Sequence, residues 1–311
     1  MLGRAFDGPD YGESVSRAPI RFDDRVAIVT GAGRGLGREH ALFLASRGAA
    51  VVVNDVAARH ADETAADIVA AGGHAVADHH SVVDAAAGIV RTALDTFGGL
   101  HVVLNNAGRG GPTGTFVDTT DEQVRAIVDS HLVGTWNVCR AAWPHLVAQG
   151  FGRILVTSSS AAIGSVGMPA YSMAKAGLIG LVRSLANEGR SVGVTVNCLM
   201  PIGYTRSGAL NPHEDTRRWM EANFPPSLCA HAAAFLVHDG VPCTGELLTT
   251  GAGRTARVAT VGSPGWSGGP TATIEELADN WPAVVDLDGQ RVLMTSRDDL
   301  VFYEGDAAFP G

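Results

Sequence analysis

Apolar residues in the first 250 positions fall into short runs, each followed by a longer stretch in which apolar and polar positions alternate at helical spacing. The runs Val26–Thr30, Ala50–Asn54, His74–Ala77, His101–Asn105, Arg153–Thr157, Thr195–Leu199 and Leu247–Thr249 predict strands. Between them, Leu36–Ser46, Ala57–Ala71, Val82–Thr96, Asp121–Gln149 and Tyr171–Glu188 are long and alanine-rich enough to predict helices. Short strands that are apolar on both faces need cover on both sides, and strands alternating with helices supply it as a parallel sheet. The pattern predicts an α/β fold with a doubly wound, mostly parallel seven-stranded sheet and helices on both faces.

The pattern changes at both ends. Residues 1–22 are rich in Gly, Asp, Ser and Pro and lack periodicity, which predicts an N-terminal arm ahead of a domain over 23–253. After Gly251 the alternation stops. Residues 254–311 are expected to form a C-terminal extension packing on the domain or on a partner subunit. Within it Arg254–Gly269 reads as irregular, Thr273–Trp281 as a short helix capped by Thr273, and Arg291–Thr295 as a strand.

A chain of 311 residues, 46% of them hydrophobic, is long enough to bury one large core. Its formal charge of −9 and its scattered Lys and Arg residues argue against nucleic acid as a partner. No apolar run approaches the ~20 residues that span a bilayer, so no membrane association is expected. Met1–Asp10 has no apolar secretory core, and Ala308–Gly311 carries no peroxisomal address. The cysteines Cys139, Cys198, Cys229 and Cys243 lack metal-ligand spacing, so no metal is expected and they read as reduced thiols of a cytoplasmic protein.

Chemistry is concentrated in two places. The first is Thr30-Gly31-Ala-Gly-Arg34-Gly35-Leu36-Gly37, a glycine-rich turn between a strand and a helix. There the backbone turns tightly and helix N–H groups face a pyrophosphate, the signature of a Rossmann-type dinucleotide fold. The next strand ends in Asp55, whose carboxylate accepts from ribose hydroxyls and repels a 2′-phosphate, favouring NAD over NADP. Arg34 pulls toward NADP if it meets that phosphate, or is a solvated surface side chain.

The second place is Tyr171 and Lys175, one helical turn apart on one face. An ammonium beside a phenol favours the phenolate, so proton exchange near neutral pH is expected. Ser158 lies 171 − 158 = 13 positions upstream, where an apolar strand runs into small hydroxyl residues. Together these groups describe redox exchange between an alcohol and a carbonyl with a nicotinamide.

In this order Thr30–Gly37, Asn105-Asn106-Ala107-Gly108, Ser158 and Tyr171-xxx-Lys175 resemble the short-chain dehydrogenase/reductase family. The resemblance implies that Tyr171 is the acid/base, that Ser158 holds the substrate oxygen and that Lys175 binds the nicotinamide ribose. It further implies that Asn105 to Gly108 close the adenine–ribose side, and that Pro201, Ile202 and Thr205 contact the nicotinamide. His131 stands where the family has an asparagine, either continuing a water-linked relay or packing in its helix. His80 stands where the family has an adenine-binding aspartate, which leaves the adenine to the backbone or to Asp78.

Val52-Val-Asn-Asp55, Thr92-Ala-Leu-Asp95, Arg140-Ala-Ala-Trp143 and Asn187-Glu-Gly-Arg190 look like the (3R)-hydroxyacyl-CoA dehydrogenase units of multifunctional enzymes type 2. The same segments are similar to bacterial hydroxysteroid dehydrogenases. This implies a 3-hydroxyacyl-CoA or hydroxysteroid substrate, with a general carbonyl reductase or polyol dehydrogenase as the alternative. A lid is expected over Tyr204–Asn223, with Trp219, Met220 and Phe224 at the site. The family further implies a homodimer or homotetramer built through Asp121–Gln149 and Tyr171–Glu188.

Overall fold

A computed structural model describes residues 19–111, 113–205 and 213–302. Most of the N-terminal arm, the middle of the expected lid and the last nine residues lie outside the described residues. Seven parallel strands form the sheet: β1 Val26–Thr30, β2 Ala50–Asn54, β3 His74–Asp78, β4 Val102–Asn105, β5 Gly152–Thr157, β6 Val194–Pro201 and β7 Leu247–Gly251. An eighth strand, β8 Arg254–Val258, pairs antiparallel with β7 and gives the order β3-β2-β1-β4-β5-β6-β7-β8. The seven-stranded expectation is therefore one strand short. β8 reads Arg-Thr-Ala-Arg-Val and is mostly exposed, so it carries the alternating pattern of an edge strand and not an apolar run.

Adjacent residues of each central strand feed opposite cores. Val26 and Ile28 pack against helices α3 (Ala86–Phe97), α5 (Gly134–Ala148) and α6 (Pro169–Gly189). Ala27 and Val29 face α1 (Gly35–Ser46), α2 (Ala58–Ala70) and the helix Ser227–Val237. Strand order reverses between β1 and β4, and the crevice at that switch point is where such sheets bind ligands.

The predicted helix Val82–Thr96 starts four residues late, at Ala86. The predicted helix Asp121–Gln149 is two helices, α4 Asp121–Val128 and α5, joined by a π-helical turn at Asp129–Val133. An extra residue in the turn rotates α5 relative to α4, and such bulges are frequent at functional sites. Gly134 opens α5 where a Cβ would stand 2.7 Å from Val82 Cγ2.

The extension continues from β8. The remaining α-helices among the described residues, in chain order, are α7 Glu214–Asn223, α8 Ser227–Val237, α9 Ile274–Asp279 and α10 Trp281–Val284. Thr273 closes a capping box with Glu276 at the start of α9, as the sequence pattern suggests. Strand pairing in the tail is short: β10 Arg291–Val292 meets β9 Val261–Gly262. Met294 Cε lies 3.2 Å from the Cβ position of Gly245, and Arg257, bonded to Glu246, also reaches Met294 Sδ. Among the described residues no helix is long and apolar enough to cross a membrane.

One core residue carries a pH liability. His40, inside α1, is 1% exposed, and neither ring nitrogen has a partner among the described residues. Burial disfavours its charged form and pushes its pKa down to about 4. The unfolded chain therefore takes up this proton first, near pH 6.5. Thermal stability should fall as pH drops from about 6.5 toward 4, by at most about 1.4 kcal/mol per pH unit from this group. Denaturation curves of His40→Phe should show a shallower acid slope; an unchanged slope would contradict this origin.

Candidate active site

The glycine turn connects β1 to α1 and is held by side chains from the next crossovers. Thr30 Oγ1 accepts from the backbone N–H groups of Asn106 (3.1 Å) and Ala107 (3.0 Å). Asn106 Nδ2 donates to the carbonyls of Thr30 and Gly31. Gly31 has φ +63°, the left-handed region that favours glycine. At Gly37 a Cβ would stand 2.2 Å from the Gly31 carbonyl oxygen, so only glycine lets α1 begin this close to the turn. A pyrophosphate approaching the N-terminus of α1 fits this cradle of bare backbone.

Asp55 caps β2 beside the turn. Its Oδ2 accepts from Gly33 N–H at 3.1 Å and its Oδ1 from Ala57 N–H at 2.9 Å. Arg34 lies exposed at the N-cap of α1. The segment after β6 closes the same groove: Thr205 Cγ2 lies 3.5 Å from the Cβ position of Gly35, and Leu36 Cδ2 lies 3.1 Å from that of Gly203. Ile202 is half-exposed beside Pro201, with its N–H on the Thr250 carbonyl.

Two expected cofactor contacts are used differently. Asn105 is buried and its Nδ2 donates to Cys139 Sγ at 3.2 Å, so it ties β4 to α5. Asp78 is buried too, with its oxygens taken by Asn54, Thr92 and His80. Burial raises its pKa, but these bonds outweigh it and hold the carboxyl below its ordinary range. Asp78 is therefore a support for the β3 loop, with no oxygen left for an adenine.

The reacting groups sit at the carboxyl end of β5 and the start of α6. Lys175 is 4% exposed, and its Nζ donates to the Thr157 carbonyl at 2.7 Å. Ser158 Oγ donates back to the Lys175 carbonyl at 2.8 Å, and Ser158 is 2% exposed. The Ser158 hydroxyl thus clamps β5 to α6. The neighbouring Ser159, 171 − 159 = 12 positions before the tyrosine, is the serine whose hydroxyl acts against the rise of the Tyr171 pKa. Its own Oγ is oriented by Ala161 N–H at 3.2 Å. Counting a fixed 13 residues leads to Ser158, whereas the serine that acts on Tyr171 stands one position later in the Ser158-Ser-Ser160 run.

Lys175 Nζ stands over the face of the Tyr171 ring, 5.6 Å from its centroid. Burial raises the phenol pKa, with the Ser159 hydroxyl acting against it, so the expected shift toward neutrality is reversed. Burial brings Lys175 down to about 8. His131, in the π-helical turn, meets Tyr171 edge-on at 5.1 Å.

Comparison with known proteins identifies the family. The short chain dehydrogenase family model matches residues 25–218, and the chain belongs to that family. It is 39% identical over 284 residues to a short-chain type dehydrogenase/reductase of Mycobacterium tuberculosis, covering 86% of this chain and 96% of that protein. Peroxisomal multifunctional enzyme type 2 of Drosophila melanogaster is 37% identical, over 88% of this chain but only 47% of its own length. The structure of that full-length enzyme superposes with a TM-score of 0.76, at 33% identity, over 92% of this chain and 50% of its own. A 7α-hydroxysteroid dehydrogenase solved with NADH and 7-oxo glycochenodeoxycholic acid gives a TM-score of 0.69, at 28% identity, over 75% of this chain and 95% of its own. The protein is an oxidoreductase of CH–OH groups, and its family binds nicotinamide dinucleotides.

The two serines make opposite predictions. Ser158→Ala orphans a buried contact and should cost about 1–3 kcal/mol of stability. Ser159→Ala should leave the melting temperature in place and lower kcat on the order of 10²-fold, as loss of one positioned donor does. Thermal denaturation beside initial rates checks both, and the reverse pattern would restore Ser158 to the substrate.

Proposed function

We propose that the chain is an NAD-dependent dehydrogenase interconverting a secondary alcohol and a ketone, acting on a 3-hydroxyacyl-CoA or a hydroxysteroid. The observation that carries the reading is the convergence of Tyr171, Ser159 and Lys175 beside a glycine turn shaped for a pyrophosphate. A bound nicotinamide supplies the two-electron exchange at the substrate carbon. Tyr171 takes the hydroxyl proton in oxidation and returns it in reduction, with its oxygen oriented by Ser159. Lys175 supplies the positive field that favours the phenolate once the groove is filled. Gly31, Gly35, Leu36, Gly37, Asp55, Asn106, Ala107, Gly108, Pro201, Ile202 and Thr205 line the cofactor.

Asp55 supports NAD. Its carboxylate is already oriented toward the turn by two backbone N–H groups, and a 2′-phosphate there would face its charge. The similarity to a multifunctional enzyme and to a hydroxysteroid dehydrogenase supports an extended apolar substrate. Exposed Phe116, Val117, Ile163 and Val166 lie on loops joined by Gly114 N–H to the Gly167 carbonyl, near the start of α6. Trp219 of α7 packs at a tilt against Phe224, whose carbonyl accepts from Tyr204 N–H, so the described end of the lid is tied to the segment after β6. The free cysteines favour a reducing compartment, which we take to be the cytoplasm.

Tyr171→Phe should lose on the order of 10²–10⁴ in kcat while remaining folded. The direct test is cofactor reduction with NAD and NADP across (3R)- and (3S)-hydroxyacyl-CoA, a hydroxysteroid and simple secondary alcohols. NAD-linked turnover of the thioester or steroid supports the reading. Activity on small alcohols alone selects the general carbonyl reductase alternative.

Self-association fits the outer face of α5 and α6. Trp136 is 53% exposed and Met173 is 54% exposed, and Leu132, Val133, Trp136, Leu181 and Ser184 line an open apolar cleft of about 410 Å³. A patch of this kind is covered in a homodimer or homotetramer. Trp136→Glu should shift the protein toward monomer in sedimentation velocity; a parent already monomeric at micromolar concentration would overturn the assignment.

A further inference from the structure

Two loops leave the carboxyl ends of β4 and β5 and form the rim beside Tyr171. The first runs from Asn106 past Arg109 to Phe116 and Val117, and the second presents Ile163 and Val166. All four apolar side chains are exposed, and Gly114 N–H joins the loops by donating to the Gly167 carbonyl at 3.0 Å. Large apolar groups gathered beside a site mark a surface that a ligand covers. On the described residues of 106–117 and 158–169, Arg109 is the sole ionisable side chain.

Arg109 is fixed at its backbone and free at its tip. His131 Nε2 donates to the Arg109 carbonyl at 2.8 Å, and the His131 ring meets Tyr171 edge-on with centroids 5.1 Å apart. A Cβ on Gly108 would stand 2.1 Å from His131 Cε1, so glycine lets the chain press onto the ring just before the arginine. Arg109 itself is exposed, and its guanidinium has no hydrogen-bond or ion-pair partner among the described residues. Its charge still reaches inward. Burial is the main cause that brings the His131 pKa down to about 3, Lys175 is the next, and the Arg109 charge adds to them.

A guanidinium is a planar fork of donors that matches a carboxylate or a phosphate. Neither loop stretch carries an acid to neutralise it, and apolar walls concentrate its field at the rim. The chain as a whole carries a formal charge of −9, so this cation offsets locally the repulsion that an anion meets elsewhere. We propose that Arg109 selects substrates in which an apolar body carries an anionic group. The body covers Phe116, Val117, Ile163 and Val166, and the anion pairs with the guanidinium. A phosphate of a coenzyme A thioester and a side-chain carboxylate of a steroid acid both supply that chemistry. The proposal rests on the reading of Tyr171 as the reacting group, because that reading fixes where substrate enters.

Matched pairs test the charge. A 3-hydroxyacyl-CoA is set against the same acyl group as its uncharged N-acetylcysteamine thioester, and a hydroxysteroid carboxylate against its methyl ester, at saturating NAD. Arg109→Gln should lower kcat/KM for the charged member of at least one pair about tenfold to a hundredfold, chiefly through KM. The neutral member should stay within twofold, and Arg109→Lys should recover part of the loss. A response of the thioester pair assigns a phosphate, and a response of the steroid pair a carboxylate. Calorimetric binding of the four compounds to Tyr171→Phe with NAD bound separates this from the chemistry. Preference for a charged member there, abolished by adding Arg109→Gln, upholds the proposal even where the parent turns over neither pair, which would sink the Tyr171 reading alone. Equal losses on charged and neutral members overturn the proposal, as does a charged member left unchanged or binding of none of the four. Weaker NAD binding by Arg109→Gln assigns the cation to the cofactor and overturns it too.

Discussion

The site depends on a reciprocal clamp between β5 and α6. Lys175 sends its ammonium to the Thr157 carbonyl, and Ser158 sends its hydroxyl to the Lys175 carbonyl. An ammonium withdrawn from water is costly unless it is hydrogen-bonded, so the first contact is a condition of burying the lysine at all. The second takes up a carbonyl inside the helix and fixes how far α6 reaches along the strand end. Tyr171 is one turn earlier on that helix, and Ser159 lies just beyond that strand. Their relative position therefore depends on two bonds that touch neither of them. Cys198 on β6 completes the enclosure, with burial raising its thiol to about 11, so it stays protonated beside the lysine.

Charge in this enclosure is kept to a single group. His131 is held neutral, and Cys139 and Cys198 are held as thiols by burial. The only cation buried at the phenol among the described residues is Lys175, itself lowered to about 8. A lone positive charge in a low-dielectric pocket acts over a longer range than in water, because nothing beside it screens it. That resolves the apparent conflict at Tyr171. Its pKa is raised because burial outweighs the Ser159 hydroxyl, and a positive charge brought next to the phenol acts in the opposite direction. A positively charged nicotinamide favours the phenolate.

The strand and helix pattern made most of the fold legible, because fully buried parallel strands leave continuous apolar runs that polar turns interrupt. β8 escaped because an edge strand has only one buried face. The π-helical turn at Asp129–Val133 escaped because one inserted residue changes no composition; it shows only in how α5 is rotated against α4. The juxtaposition of Tyr171 and Lys175 was legible, since a four-residue separation on a helix has one geometric meaning. Ser158 and Ser159 were not separable, because they stand on an irregular segment where spacing along the chain does not determine direction in space. Asn105 shows the same limit: it belongs to the Asn105-Asn-Ala-Gly108 turn, yet its position at the end of β4 sends its amide inward to Cys139.

The contrast between satisfied and unsatisfied groups separates scaffold from chemistry. Around the glycine turn each polar group described has its partner: Thr30 with Asn106 and Ala107, Asn106 with two carbonyls, Asp55 with Gly33 and Ala57. Such a cradle is complete before a ligand arrives and loses little conformational freedom on binding. Around Tyr171 the balance is opposite, with a bare nitrogen on His131, two spare N–H groups on Lys175 and a phenol held away from its charged form. Unpaired buried groups lower stability, and a fold retains them where the packing around them is over-determined. Here Gly108 and the clamp supply that constraint. The interaction energy withheld from the folded chain is thereby reserved for the molecules that enter the groove.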